Sequence, residues 1–212
     1  MIRDRLPEDS AATRAALYAG DVFLLRASTD TLALVADAED ALREALGDEP
    51  RTAQQRMQND ELFQRVRGLR RALYLEPRFL EGVKQVLRTH GFPLERTAVD
   101  PLRMRVVLHE GDLNPEAAPV YYAHRDTWYA HPQGQLTWWI AMHDAPEEET
   151  FSFYPEWFAR EVPNNSEIFN YDDWVRDGWD LKIGWQRRGA DTADLYPKQT
   201  AAVALGRRVG FA

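Results

Sequence analysis

The chain has 212 residues, a formal net charge of −8 and no cysteine. Its length suits one medium domain, and its 44% apolar and 28% charged content is ordinary for a globular protein. Basic residues are scattered among acidic ones, so we expect a small-molecule substrate rather than a nucleic-acid or membrane partner. The absence of cysteine excludes thiolate metal sites and agrees with a reducing compartment. With no apolar leader core and no membrane-length apolar run, the sequence predicts a cytoplasmic protein.

The first 98 residues predict a mainly helical support. Apolar side chains at helical spacing, with caps and breakers at the ends, predict helices over residues 10–17, 31–46, 61–74 and 77–89. The apolar run 22–25 predicts a short strand.

After Pro101 the apolar period changes to two. Met104, Val106 and Leu108 alternate with polar neighbours, as in a half-buried strand. Three further β-rich runs cover residues 120–123, 136–142 and 150–154. Helices followed by an aromatic β region predict an α+β fold, with helices packed on a sandwich or barrel. The polar and aromatic segment 162–174 is typical either of a lid or of a surface insertion held by Asx turns.

The motif that points to chemistry is His124-Arg-Asp126, at the end of a predicted strand. Residues i and i+2 of a strand project to the same face, so an imidazole and a carboxylate there can converge on one ion. Two histidines and one carboxylate on one face of an octahedron suit Fe(II), because three positions stay open. A solvated histidine beside a surface aspartate is the alternative interpretation of this spacing.

The context of the motif resembles a known family. The aromatic cluster after Asp126, the turn at 131–134 and the strand 136–142 leading to Asp144 resemble the phytanoyl-CoA dioxygenase-like branch of Fe(II)/2-oxoglutarate oxygenases. The resemblance implies a double-stranded β-helix, or jelly roll, flanked by the N-terminal helices. It implies one domain over 1–212, with helical support at 1–98 and a jelly-roll portion at 99–212 that contains an insertion or lid at about 155–195.

The same resemblance implies Fe(II), 2-oxoglutarate and O2 as cofactors and His124 and Asp126 as metal ligands. The expected reaction is hydroxylation, desaturation or cyclisation of a small molecule, such as a biosynthetic intermediate. No catalytic residue beyond the metal ligands is expected. Trp139 aligns with a tryptophan that lines the family's 2-oxoglutarate pocket, although a core position would explain it equally well.

Other candidate site residues follow from the predicted strands. Arg105 meets the 2-oxoglutarate carboxylate if the polar face of its strand is the barrel interior, and is merely solvated if that face is outside. Trp128 and Tyr129 directly follow the metal ligands, and aromatic side chains there are suited to walling a substrate site.

The family's distal metal-binding histidine has no counterpart, because no histidine follows His143. The jelly roll is therefore expected to be incomplete at the C-terminus. A second polypeptide supplies the missing strands, the chain is a shortened form, or the site is assembled differently. The alternative function is a non-catalytic jelly-roll binding protein, or one half of a split oxygenase whose partner chain provides the third ligand.

Overall fold

The computed structural model describes residues 1–113, 121–129, 131–132, 134–146, 149–170, 172, 197–201 and 203. The chain divides into two compact units, Met1–Arg105 and Val106–Ala212. The elements of the first unit are, in order, β1 (Ile2–Arg3), α1 (Ser10–Tyr18), β2 (Val22–Phe23), α2 (Thr29–Leu46), α3 (Ala53–Arg56), α4 (Asn59–Leu75) and α5 (Pro77–Thr89). The four predicted helices are confirmed, whereas the short α3 was not predicted.

The ends of α2 illustrate why the helices lie where the sequence places them. The Ser28 hydroxyl accepts a hydrogen bond from the backbone N–H of Thr31 at 3.1 Å, which satisfies one of the open donors of the first turn. Gly47 ends the helix with a φ of 88°, a left-handed conformation that glycine adopts without a Cβ clash.

The core of the first unit lies among α2, α4 and α5. Each helix buries apolar side chains on one face, and in α4 these recur at intervals of three or four residues. The largest contribution comes from Phe79, which is completely buried. The buried residues of the three helices are Leu34, Ala38, Ala41, Leu46, Leu62, Val66, Leu69, Leu73, Phe79, Val86 and Leu87.

Gly82 sets how closely α5 approaches α2. A Cβ placed on Gly82 would lie 2.8 Å from Cδ1 of Leu34, which is only 3% exposed. Because a buried leucine in a packed core has little room to move, the close approach depends on the missing side chain.

The first residues of the chain pair with the segment after α1. β1 and β2 are parallel, with Ile2 opposite Val22 and Arg3 opposite Phe23. Asp21 binds the N-terminal ammonium of Met1 at 2.9 Å and also the guanidinium of Arg3. The hydrogen bond from the ammonium, with a further contribution from Arg3, holds the pKa of the Asp21 carboxyl below its ordinary value.

The predicted jelly roll is wrong for the part of the second unit that the structure describes. This part consists of extended segments, isolated bridges such as Asn164 with Gln199, and short 3-10 helices. The 3-10 helices are Gly111–Leu113, Asp126–Tyr129, Pro155–Trp157 and Ser166–Ile168. Residues 136–142 and 150–154 form no ladder among the described residues, nor do 121–123 of the run predicted at 120–123, whose first residue lies outside them.

The period of two that suggested strands is nevertheless present as a burial pattern. Leu136, Trp138, Ile140 and Met142 are half-buried, while the residues between them are exposed, and the same alternation holds from Arg103 to His109. An extended chain with one face toward apolar neighbours produces this pattern with or without a hydrogen-bonded partner strand. The alternation therefore predicted the extended conformation and not the sheet.

No helix in the described ranges is both long enough and apolar enough to cross a lipid bilayer.

Candidate metal centre

His124 and Asp126 lie side by side in the second unit. The Nε2 atom of His124 is 3.7 Å from Oδ1 of Asp126. The two side chains retain 25% and 52% of their accessible surface, respectively, so the pair sits at the surface of the unit with the imidazole the more enclosed. The structure thus brings the two predicted metal ligands together.

The orientation of the imidazole is fixed by its other nitrogen. Nδ1 of His124 lies 2.7 Å from the backbone carbonyl oxygen of Tyr122. A carbonyl only accepts, so Nδ1 carries a proton and Nε2 is the nitrogen turned toward the Asp126 carboxylate. A proton on Nε2 or a cation between the two groups makes this approach favourable. A backbone carbonyl on Nδ1 is also the common outer partner of histidines that bind metals through Nε2.

A turn, and not a strand end, creates this proximity. Residues 123–125 form neither helix nor strand, and Asp126 is the first residue of the 3-10 helix Asp126–Tyr129. The N–H of Trp128 donates to the carbonyl of Arg125 at 2.9 Å and closes the first turn. The two side chains therefore lie close together, while the strand geometry from which this was predicted is wrong.

The separation of the two donor atoms is close to what a shared metal ion needs. Metal–nitrogen and metal–oxygen bonds of about 2.1 Å place neighbouring ligands of an octahedral ion roughly 3.0 Å apart. The observed 3.7 Å between Nε2 and Oδ1 is longer, so the two side chains would have to move closer to share an ion. The donor set of one imidazole and one carboxylate matches part of the two-histidine, one-carboxylate site of non-haem iron proteins.

Tyr129, a predicted substrate residue, packs directly on the site. Its ring meets the His124 imidazole at 5.2 Å between centroids and the ring of Phe169 at 5.6 Å. Its hydroxyl donates to the carbonyl of Pro197 at 3.3 Å. Tyr129 is therefore part of the wall beside His124.

Trp128, the other predicted substrate residue, faces a different space. Its side chain is buried, with 8% exposed, and it lines an open cavity of about 540 Å³ together with Arg125, Glu161, Val162, Pro163 and Asn164. The Arg125 guanidinium donates to the backbone carbonyls of Trp157 and Arg160 and so anchors this rim.

Two asparagines, Asn164 and Asn165, stabilise the chain segment that follows the cavity-lining residues Val162 and Pro163. Asn164 Oδ1 accepts from the N–H of Ser166 at 3.0 Å, an Asx turn of the kind predicted for residues 162–174. Asn165 exchanges two hydrogen bonds with Lys198, its N–H donating to the carbonyl and its Oδ1 accepting from the N–H. These contacts place the chain near Pro197, where Tyr129 is bound.

The contacts described do not bring either predicted cofactor-binding residue, Trp139 or Arg105, to His124 and Asp126. Trp139 is 49% exposed, and its indole meets Phe151 edge to face at 5.2 Å between centroids. Phe151 in turn meets Phe153 at 5.3 Å, which gives a row of three half-exposed aromatic rings. Arg105 is exposed and is the last residue of the first unit, so its predicted role stays a prediction from sequence.

Thr137 is a site residue that the sequence did not suggest. Its hydroxyl donates to Oδ2 of Asp126 at 2.9 Å, across a separation of 11 residues. Local patterns cannot reveal a contact of this kind, because it depends on how the chain returns after the turn at 131–134.

The third metal ligand does not lie among the residues with a described placement, which contain no group of three or more side chains able to hold a metal ion. His143 is exposed, and its Nδ1 lies 2.8 Å from the carbonyl of Asp144. The C-terminal residues 204–212 lie outside the described ranges.

Comparison of the chain with protein-family models, with curated proteins and with solved structures gave no match.

Proposed function

We propose that this chain is a non-haem Fe(II) oxygenase that uses 2-oxoglutarate and O2 to modify a small molecule, with His124 and Asp126 as two of its iron ligands. The observation that carries the proposal is the orientation of the imidazole. With Nδ1 bound to the Tyr122 carbonyl, Nε2 faces Oδ1 of Asp126 at 3.7 Å, so both donor atoms would be available to a divalent cation between them. The motif and its aromatic context support iron and 2-oxoglutarate in particular.

The chain's own residues have simple roles in this proposal. His124 would offer a nitrogen donor and Asp126 a negative oxygen donor, and the carboxylate would neutralise part of the charge of a divalent ion. Iron bound there would supply the activation of O2. Tyr129 shields the imidazole on one side by its edge-to-face contact and excludes water from that side.

The proposal includes a third ligand from a second polypeptide or from residues outside the described ranges. Two protein ligands alone leave four positions of an octahedral ion to solvent and small ligands, so the affinity of this chain for Fe(II) is expected to be modest. A partner that adds a histidine raises the affinity, because it contributes a ligand to an ion already bound.

An anaerobic titration with Fe(II) and 2-oxoglutarate tests the proposal. Formation of the iron chelate is followed by its visible charge-transfer absorption, and Fe(II) binding alone by competition with a coloured chelator. We expect binding by the wild-type chain that His124→Ala and Asp126→Ala both abolish. His90→Ala is the matched control, because His90 lies at the end of α5 in the first unit.

Two results would contradict the proposal. Equal binding by wild type and His124→Ala would place the iron elsewhere. Absence of the absorption both for the chain alone and for the chain with a co-purifying polypeptide would exclude the oxygenase and leave a binding protein.

A further inference from the structure

Asp126 has two oxygens, and the structure gives them different surroundings. Oδ2 accepts the hydrogen bond from the Thr137 hydroxyl at 2.9 Å, while Oδ1 faces Nε2 of His124 at 3.7 Å. Since a hydroxyl hydrogen bond to a carboxylate is charge-assisted, it restrains rotation of the carboxylate about its last torsion. Thr137 therefore determines which oxygen is turned toward the imidazole.

We propose that Thr137 is a positioning residue of the metal centre: by holding one carboxylate oxygen of Asp126, it keeps the other turned toward His124. The inference rests on the proposed iron site. With Oδ2 engaged by Thr137, Oδ1 would be the oxygen available to the ion, and the ion would supply the binding of an oxo-acid and O2.

The placement of Thr137 is favourable for this role. It belongs to the segment 136–143, in which exposed and half-buried side chains alternate, and it lies on the exposed side. The half-buried neighbours Leu136 and Trp138 hold the backbone on either side of it. The hydroxyl is consequently presented to Asp126 by a segment that is anchored independently of the metal ligands.

A set of three threonine variants tests the inference by metal affinity, without any measurement of turnover. Thr137→Val removes the hydroxyl and keeps the shape of the side chain, Thr137→Ser keeps the hydroxyl, and Thr127→Val makes the same change at an exposed threonine next to Asp126. Fe(II) and Co(II) affinities are measured anaerobically by competition, and the Co(II) absorption spectrum reports a change in the number of ligand atoms. Circular dichroism verifies that each variant is folded.

We expect Thr137→Val to weaken metal binding by about 10- to 100-fold, the usual effect of losing an outer partner of a metal ligand, and to change the Co(II) spectrum. Thr137→Ser and Thr127→Val are expected to bind as the wild type does. Unchanged affinity and spectrum for Thr137→Val, in a protein whose binding still requires His124, would overturn the role of Thr137 and leave the iron site standing. An equal loss in Thr127→Val would also overturn it. No binding by the wild type, either alone or with a co-purifying polypeptide, would overturn both proposals.

Discussion

The phenol ring of Tyr129 meets the imidazole of His124 edge to face, with 5.2 Å between the ring centroids and an angle of 88° between the planes. The same ring meets Phe169 on another side, and its hydroxyl reaches the carbonyl of Pro197. A proposed metal ligand is thus linked through one residue to the segment that Asn164 and Asn165 hold in place. The link should be visible when the ring and the hydroxyl are removed separately.

We expect Tyr129→Leu to lower the Fe(II) affinity by about tenfold, because the imidazole loses a supporting ring. Tyr129→Phe keeps the ring and removes only the hydroxyl, so it should leave the affinity unchanged and lower the unfolding free energy by about 0.5–1.5 kcal/mol. Anaerobic titration and urea unfolding measure the two effects. Equal affinities for the two variants would show that the ring does not support His124.

Gly82 and Gly68 form a matched pair for testing the contact between α2 and α5. Gly82→Ala places a methyl group 2.8 Å from Leu34 Cδ1, whereas a Cβ on Gly68 of α4 has no neighbour within 4 Å. We expect Gly82→Ala to destabilise the first unit by about 1 kcal/mol, since overpacking of about 1–3 kcal/mol exceeds the gain in helix propensity. Gly68→Ala should stabilise it by about 0.5–1 kcal/mol. Urea unfolding followed by far-UV circular dichroism compares the two, and stabilisation by both would contradict the close approach.

The lowered pKa of Asp21 predicts a pH-dependent contribution to stability. An unfolded aspartate titrates near a pKa of about 3.9, and the folded carboxyl titrates below it. The stabilisation is therefore complete above pH of about 4 and is lost as the pH falls through the folded pKa. Asp21→Asn should lower the unfolding midpoint at neutral pH and have a smaller effect in acid. Asp4→Asn is the control, because Asp4 is exposed and follows Arg3 in the sequence. The difference in unfolding midpoint between this variant and the wild type should not become smaller in acid.

Arg125 should matter for the second unit although it binds no metal in the proposal. A lysine keeps the charge but lacks the planar guanidinium that reaches the carbonyls of both Trp157 and Arg160. We expect Arg125→Lys to destabilise the second unit by about 1–3 kcal/mol. Tryptophan fluorescence is the suitable probe, because all seven tryptophans follow residue 127 and lie in that unit. Arg103→Lys, at an exposed arginine of the first unit, should leave the transition unchanged.

The helices were predictable because their determinants are local. Apolar spacing, the Ser28 cap and the Gly47 stop all lie within the residues of α2 or next to it. Whether the β-rich runs of the second unit pair into a sheet was not predictable in the same way, because a strand needs a partner that can be distant in sequence. The alternation around Trp138 and Trp139 reports one buried face, and an extended segment satisfies that pattern without a ladder.

In the candidate site, too, only the contacts between residues close in sequence were predictable. Two residues separated by one are always near each other, so His124 and Asp126 could be paired from sequence even though a turn replaces the expected strand. The contact of Thr137 with Asp126 spans 11 residues, and that of Tyr129 with Pro197 spans 68. These contacts depend on the path of the chain, which composition and periodicity do not encode.

The hydrogen bond from His124 Nδ1 to the Tyr122 carbonyl also bears on the kinetics of the proposed site. An imidazole already held in one orientation does not have to rearrange before it binds an ion. Ion binding is therefore expected to be a single step, and its observed rate should rise linearly with the ion concentration. Affinity differences among variants of the outer contacts should then appear mainly as faster release. The backbone of Tyr122 in this way governs how readily an ion is captured.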